Sequence, residues 1–417
     1  MASRIVHIVG AGLAGLAAAV RLAGAGRAIV VHEASGHAGG RCRSYFDAEL
    51  GCQIDNGNHL LLSGNHAALD YLERIGAANE LVGPPAPRFP FCDVSTGERW
   101  LLAPGPGRLP WWIFDAERRV PGTRAVDYLR AASLAWSRAE DAIPARLETD
   151  SVLFRRLWQP FAVAALNTEI ETGSAALLWR VIRESFGAGG GALRPLVPRE
   201  GLSETFIDPA LAYLGKRGAT IRFGARLRAV TLSGDRVRAL DFDDGAVALA
   251  PDDCAILAVP APIAGRLLPE ISVPSEFRAI VNAHYRLAVP TGGPLFIGLI
   301  GGTAEWVFRK PGVLSVTVSA ADRLVDEPAE TLAALLWRDV ARAYEFGHQT
   351  LPPWRIVKEK RATFAATPAQ LGRRPPAATA WRNLFLAGDW TATGLPATIE
   401  GAIRSGGTAA GLAAQFR

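Results

Sequence analysis

The hydrophobic pattern is clearest at the two ends of the chain. In RIVHIVGAGLAGLAAAVRLAGAGRAIVVHEA, Ile5 to Val9 is a short continuous apolar block, as expected of a buried strand. Ala- and Leu-rich positions predict a helix from about Leu13 to Ala25, ended by Gly26, and a second apolar block over Ala28–His32 predicts another strand. Strand, helix and strand in this order form a βαβ unit. NLFLAGDWTATGLPATIEGAIRSGGTAAGLAAQ repeats the grammar near the C-terminus. An apolar strand, Leu384–Ala387, is closed by Gly388 and Asp389, and Pro396 and Thr398 lead into a helix. Glu400 falls in its first turn, where the helix dipole favours an acid.

The middle of the chain is mixed. GLSETFIDPALAYLGKRG reads as a helix over about Ser203–Arg217. The runs ATIRF, ARLRAV, RVRALDF, AVAL and CAILAVP, separated by SGD and DDG turns, read as a hairpin-rich insert. SVLFRRLWQPFAVAALNTEIETGSAALLWRVIRESF carries apolar residues at helical spacing, which usually marks core. RFPFCDVSTGERWLLAPGPGRLPWWIF is rich in Pro, Trp and Phe. There Trp111, Trp112, Ile113 and Phe114 are either core packing or an apolar mouth dipping into a membrane interface, where Trp is favoured.

Composition narrows the class. The chain has 417 residues, 49% hydrophobic and 20% charged, enough for two or three cores. Its formal charge is +5, and arginine greatly outnumbers lysine. That excess reflects either base composition or attraction to an anionic surface. No nucleic-acid motif accompanies it, so no nucleic-acid partner is expected. Cys42, Cys52, Cys92 and Cys254 show no CxxC or metal spacing, so no metal site and a reduced compartment are expected. No apolar run reaches the roughly 18 residues of a spanning helix. GLAGLAAAV is too bound up with the glycine fingerprint to be a cleaved signal. The expected location is cytoplasmic, either soluble or peripheral on the inner face of the membrane.

The βαβ unit carries a dinucleotide fingerprint. Gly10, Gly12 and Gly15 spell G-x-G-x-x-G. They allow the tight turn, the close approach to pyrophosphate and the helix–strand packing in that order, with Leu13 and Ala14 opening the helix toward the phosphates. Glu33 follows Gly15 by 18 residues, with Ala34 beside it. Its carboxylate suits ribose hydroxyls and repels a 2′-phosphate, which argues against NADP at this site. Beyond it, Gly39, Gly40 and Arg41 make a loop where an NAD-binding unit would normally continue into a helix. At the far end, Asp389 is an acceptor for ribitol hydroxyls, and the N–H groups near Thr398, Ile399, Glu400 and Gly401 offer an anion site, with Ala402 beyond. One long cofactor, FAD, clasped by both ends of the chain explains two such places.

These motifs resemble the FAD-dependent amine oxidase and phytoene desaturase superfamily. IDNGNHLLLSGN (Ile54–Asn65) and GDWTATGLPATIEGAIRSG are similar to the bacterial squalene-associated members known as hydroxysqualene dehydroxylases. The resemblance implies an α/β architecture: a Rossmann-like FAD-binding domain with a discontinuous α+β substrate-binding domain, the amine oxidase-like fold. Residues 1–75, 196–265 and 366–417 would bind FAD, and 76–195 and 266–365 would bind substrate. Asn56, Gly57 and Asn58 would lie by the flavin and Val230 against the adenine, although Val230 also reads as a core valine. The implied reaction removes the allylic hydroxyl of hydroxysqualene, a long-chain isoprenoid, by hydride transfer from reduced flavin. An external donor, NADPH or ferredoxin-like, would reduce the flavin.

The flavin carries the hard chemistry in such a site. Departure of hydroxide needs a proton donor. His59 is the first candidate, against a purely structural role, and Asp55 the second, against a role in fixing the loop. Trp390 could stabilise an allylic cation through its ring face or simply pack against the helix. Three rival readings stand beside this one: a flavin amine oxidase, a carotenoid-type desaturase, and a flavin-binding subunit without catalysis.

Overall fold

The computed structural model describes residues 4–24, 27–287, 293–346 and 350–416. The expected helix end at Ala25 and Gly26 lies outside them. Five parallel strands form the first sheet, in the order Thr220–Arg222, β2 (Ala28–His32), β1 (Ile5–Val9), Cys254–Leu257 and Leu384–Leu386. Parallel strands are covered on both faces, and Val6, Ile8, Val31, Ile256 and Leu386 are accordingly buried. α1 (Leu13–Leu22), α2 (His66–Ile75) and the C-terminal helix Ile399–Gln415 share one apolar core with it. α1 and the C-terminal helix meet almost backbone to backbone. A Cβ added at Gly406 would stand 2.2 Å from the Ala14 carbonyl oxygen.

Seven strands form the second sheet, in the order Trp354–Phe364, Phe277–Arg286, Val313–Val318, Trp306–Lys310, Phe296–Ile300, Phe89–Asp93 and Arg99–Leu102. All pairs are antiparallel except Phe296–Ile300 with Phe89–Asp93. Strand alternation separates its faces. Val281, Val316 and Val307 pack under helix Ala329–Ala343 through Leu332, Leu336 and Val340. The other face presents Asn282, His284, Ser315, Thr317, Phe308 and Lys310, and it meets the 47–58 segment of the first half.

Two sequence expectations need correction. The supposed hairpin-rich insert divides. Leu227–Ser233, Arg236–Phe242 and Gly245–Ala248 make an antiparallel meander, while Thr220–Arg222 and Cys254–Leu257 join the parallel sheet. Cys254–Leu257 is buried along its whole length, the mark of a parallel core strand rather than a half-solvated hairpin. The Ser203–Arg217 helix begins as a π-helical stretch, Ser203–Ile207, and becomes α-helical over Asp208–Gly215, with Pro209 in the first turn.

The Trp111–Phe114 segment divides between core and surface. It is a single 3₁₀ turn, in which residues three apart eclipse. Trp112 and Ile113 therefore point into the core, while Trp111 (70% exposed) and Phe114 (64%) face outward together, ring centroids 6.1 Å apart.

Gly406→Ala should lower stability by about 1–3 kcal/mol, the usual cost of overpacking. Gly407→Ala, whose Cβ would meet nothing within 4 Å, is the control. Chemical denaturation reads the difference, and equal midpoints for the two variants would contradict the close helix crossing.

Candidate functional site

The glycine turn is built by contact. Gly10 has φ +106°, donates its N–H to the His32 carbonyl at 2.7 Å, and leaves no room for a Cβ, which would stand 2.4 Å from Ala258 O. A Cβ at Gly15 would lie 1.9 Å from Gly10 O. Gly12 differs, since nothing lies within 4 Å of its Cβ position. Two of the three glycines are therefore demanded by packing, and the third leaves an open approach to the backbone. Leu13 and Ala14 are buried in the first turn of α1. The Gly39–Gly40 loop is strapped alongside, with Gly39 N–H donating to Ala11 O at 2.8 Å and a bridge between Gly12 and Gly39. Glu33 sits at the end of β2. Its Oε2 accepts from Ala11 N–H at 2.7 Å and its Oε1 from the Ser35 amide and hydroxyl. A carboxylate has about four acceptor positions, so capacity remains for ribose hydroxyls. Ala34 is exposed at the rim.

The C-terminal motif reaches this turn through Arg41. Its Nη2 donates to Asp389 Oδ2 at 2.6 Å, across 348 residues of sequence, and its Nη1 donates to Ala362 O. Gly388 N–H donates to Ser405 Oγ at 2.8 Å, fixing the strand end against the helix that follows. Thr398 caps that helix, accepting from Gly401 N–H at 3.0 Å. Of the N–H groups expected to face a ligand, that of Gly401 is thus already used, leaving those of buried Ile399 and of Glu400. The Glu400 side chain has a separate task. It accepts from Ala67 and Ala68 N–H, at 3.2 and 2.8 Å, capping α2, and pairs with Arg404 at 3.0 Å. Ala402 is half-buried one turn on. Val230 pairs with Leu240 inside the meander, half-buried against the core.

The third element is the 55–59 segment, clamped against the second sheet. Asn56 O accepts from Asn282 Nδ2 at 3.3 Å, and Asn282 Oδ1 accepts from Thr317 at 2.7 Å. Asn58 Nδ2 donates to Thr317 Oγ1 at 3.0 Å, while its buried Oδ1 has no hydrogen-bond partner among the described residues. Gly57 packs on the Asn282 amide, 3.3 Å from its Cβ position.

The three catalytic candidates fare differently. Burial, with help from Arg41, pulls the His59 imidazole down to about 4, so it is neutral near pH 7 and has no acidic cation to give. Asp55 is already engaged as an acceptor by Ser44 Oγ at 2.5 Å, Leu202 N–H at 3.0 Å and the Lys310 ammonium. Trp390 is buried, its indole N–H held by Val259 O at 2.9 Å. That is a packing position beside Gly388. Sequence reasoning passed over Lys310, Asn282, Thr317 and Arg374. Arg374 Nη2 donates to Asp389 O at 3.0 Å and Thr393 Oγ1 at 2.8 Å, and so shapes the 389–393 loop. Lys310, Asn282 and Thr317 leave no local mark in the sequence, because each meets the 55–58 segment more than 200 residues away, while Arg374 acts on a loop 15–19 residues on. No group of acidic, His or Cys side chains among the described residues could hold a metal ion.

Residues 13–414 match the family of flavin-containing amine oxidoreductases. Over 411 residues the chain is 53% identical to hydroxysqualene dehydroxylase of Rhodopseudomonas palustris, covering 98% of both chains. Over 408 residues it is 50% identical to that of Sinorhizobium fredii, again 98% of each. Among solved structures, cyclohexylamine oxidase from Brevibacterium oxydans shares the fold, with a TM-score of 0.69 over 99% of both chains at 17% identity. The amine oxidase-like α/β fold expected from the sequence is the fold found. A flavin dinucleotide suits the residues present. Gly12 leaves room for a phosphate, Glu33 retains acceptor capacity, and the unpartnered Asn58 Oδ1 can accept an N–H.

Arg41→Met strands the Asp389 carboxylate, whose side chain is 8% exposed. Charge-assisted hydrogen bonds contribute about 1.5–3 kcal/mol, so flavin affinity should fall roughly tenfold or more. Titration followed by flavin fluorescence checks this, and wild-type affinity in the variant would contradict it.

Proposed function

The chain belongs to the flavin-containing amine oxidoreductase family, and on that premise we propose that it is an FAD-dependent dehydroxylase converting hydroxysqualene to squalene. Identity of about half to two hydroxysqualene dehydroxylases over nearly the whole chain carries the reading. The site supports it chemically. Phe296, Phe308, Phe89 and Trp306 form a continuous aromatic cluster with Val197 and Leu60, directly beside the 58–59 segment. Such a wall suits an isoprenoid chain and excludes water. Ring faces also lower the cost of an allylic cation without reacting with it. When bound and reduced, FAD supplies the hydride that replaces the hydroxyl. An external donor of the NADPH or ferredoxin class restores the reduced cofactor. The protein's part is to hold the allylic carbon against the flavin, keep the site dry and deliver one proton to the departing oxygen.

The test is one turnover without oxygen. Chemically reduced protein is mixed with hydroxysqualene while flavin absorbance and lipids are followed. Oxidised flavin and squalene should appear together, one for one. Flavin that stays reduced over unchanged lipid, in folded and flavin-loaded protein, would sink the reading. Oxidised protein that desaturates polyenes or releases peroxide from amines would point to the rival activities.

We also infer that the protein docks on an anionic bilayer through residues 108–138. Leu109, Trp111, Phe114, Val126, Leu129 and Trp136 are all exposed there, Trp136 by 71%. The same stretch holds six arginines against three acids. Trp and other apolar side chains with basic residues around them suit a lipid interface and its negative surface potential. No helix among the described residues is long and apolar enough to cross a membrane. The protein should sediment with vesicles containing anionic lipid, more weakly with zwitterionic ones, and the triple variant Trp111→Ser, Phe114→Ser, Trp136→Ser should stay in the supernatant. Equal sedimentation of variant and wild type would contradict this surface.

A further inference from the structure

A buried ion pair ties the seven-stranded sheet to the 47–58 segment. Lys310 ends the strand Trp306–Lys310, and its Nζ pairs with Asp55 Oδ2. The two side chains are 14% and 2% exposed. Ser44 Oγ and Leu202 N–H fix the other carboxylate oxygen at 2.5 and 3.0 Å, so Asp55 is immobile. Lys310 also lines a small cavity together with Asn58, His59, Val197, Leu295 and Phe308. This cavity joins the 58–59 segment to the aromatic cluster. The chain has only four lysines, which makes a buried one conspicuous.

Asp55, Cys42 and His59 lie about Lys310, and Arg309 lines the same cavity. Burial raises the Cys42 thiol, so it stays protonated and neutral. Burial likewise keeps His59 neutral. Asp55 is therefore the counter-charge. Burial lowers Lys310 from the usual 10.5 to about 7, so near neutral pH it is an ammonium that readily gives up a proton.

We propose that Lys310 is the proton donor for departure of the substrate hydroxyl, with Asp55 as its positioning residue. This rests on the dehydroxylase reading. The allylic C–O bond breaks and its electron pair leaves with the oxygen. A proton from Lys310 Nζ joins that oxygen, so water departs and Lys310 becomes a neutral amine. A hydride from reduced flavin fills the carbon, and the flavin is oxidised. Bulk water later reprotonates the lysine. The charges favour this sequence. Before transfer, ammonium and carboxylate cancel. Afterwards Asp55 alone remains charged, and an unbalanced carboxylate in a dry site stabilises the developing allylic cation. The acid form is the active one, so the rate should fall as pH rises through about 7.

The test uses FAD-loaded enzyme and two readouts. With ¹³C-lysine, nuclear magnetic resonance should show four lysine titrations, and the one lost in Lys310→Arg should fall near 7. In single turnovers, Lys310→Arg should keep full flavin content but react about 100-fold more slowly or worse, as expected when a general acid is lost. Arginine preserves the ion pair with Asp55 but holds its proton too tightly to give it. Its residual rate should lack the wild-type fall near pH 7. A Lys310 that titrates near its ordinary value, or a Lys310→Arg enzyme that reacts within a few-fold of an active wild type, overturns the donor role alone. A folded, flavin-loaded wild type inert toward hydroxysqualene overturns the dehydroxylase reading and the donor role with it.

Discussion

The rest of the site depends on the contact between α1 and the C-terminal helix at Gly406 and Ala14. Both helices follow strands of one parallel sheet, so both begin at the same sheet edge, where ligands of open α/β sheets bind. The crossing sets the first turns of α1 against the middle of the C-terminal helix. Ser405 then ties down Gly388, Glu400 caps α2, and Arg41 reaches Asp389. The Arg41–Asp389 contact joins the two strand–turn–helix motifs directly.

The second constraint is electrostatic. The polar face of the seven-stranded sheet meets the 47–58 segment through groups that must be satisfied if buried. Arg355 donates to Asp47 at 2.6 Å, Arg286 to Leu50 O at 2.5 Å and Asn282 to Asn56 O at 3.3 Å, and Lys310 pairs with Asp55. Of these only Lys310–Asp55 is an ion pair with both side chains buried, and removing one partner of such a pair costs about 3–5 kcal/mol, far more than the pair itself contributes. The 47–58 segment is thereby held in one geometry by the seven-stranded sheet. Among the described residues Asn58 Oδ1 has no hydrogen-bond partner.

Much of this was legible in the sequence, for physical reasons. The glycine fingerprint is local: Gly10, Gly12, Gly15 and Glu33 act within one βαβ unit, and spacing alone fixes their relation. Thr398 as a helix cap and Asp389 at a strand end are equally local. What stayed hidden is long-range. Lys310 meets Asp55 across 255 residues, and the Glu400 side chain serves a helix 332 residues earlier, so neither pairing leaves a periodic trace. The chain pattern also could not tell that Cys254–Leu257 is a core strand, because four apolar residues suit a hairpin as well as a parallel sheet. His59 shows the opposite failure. Its residue type suggested acid chemistry, but burial removes the charge that chemistry needs.

The most direct measurement is a crystal structure of the protein with FAD bound. The adenosine ribose should sit on Glu33, the pyrophosphate over Gly12, and the isoalloxazine ring between the 56–58 segment and the Asp389–Glu400 wall, with Asn58 Oδ1 hydrogen-bonded and Lys310 facing the space above the ring. A flavin ring bound elsewhere, with Asn58 Oδ1 still unpartnered and the C-terminal motif touching no part of the cofactor, would contradict the idea that both ends of the chain hold one flavin.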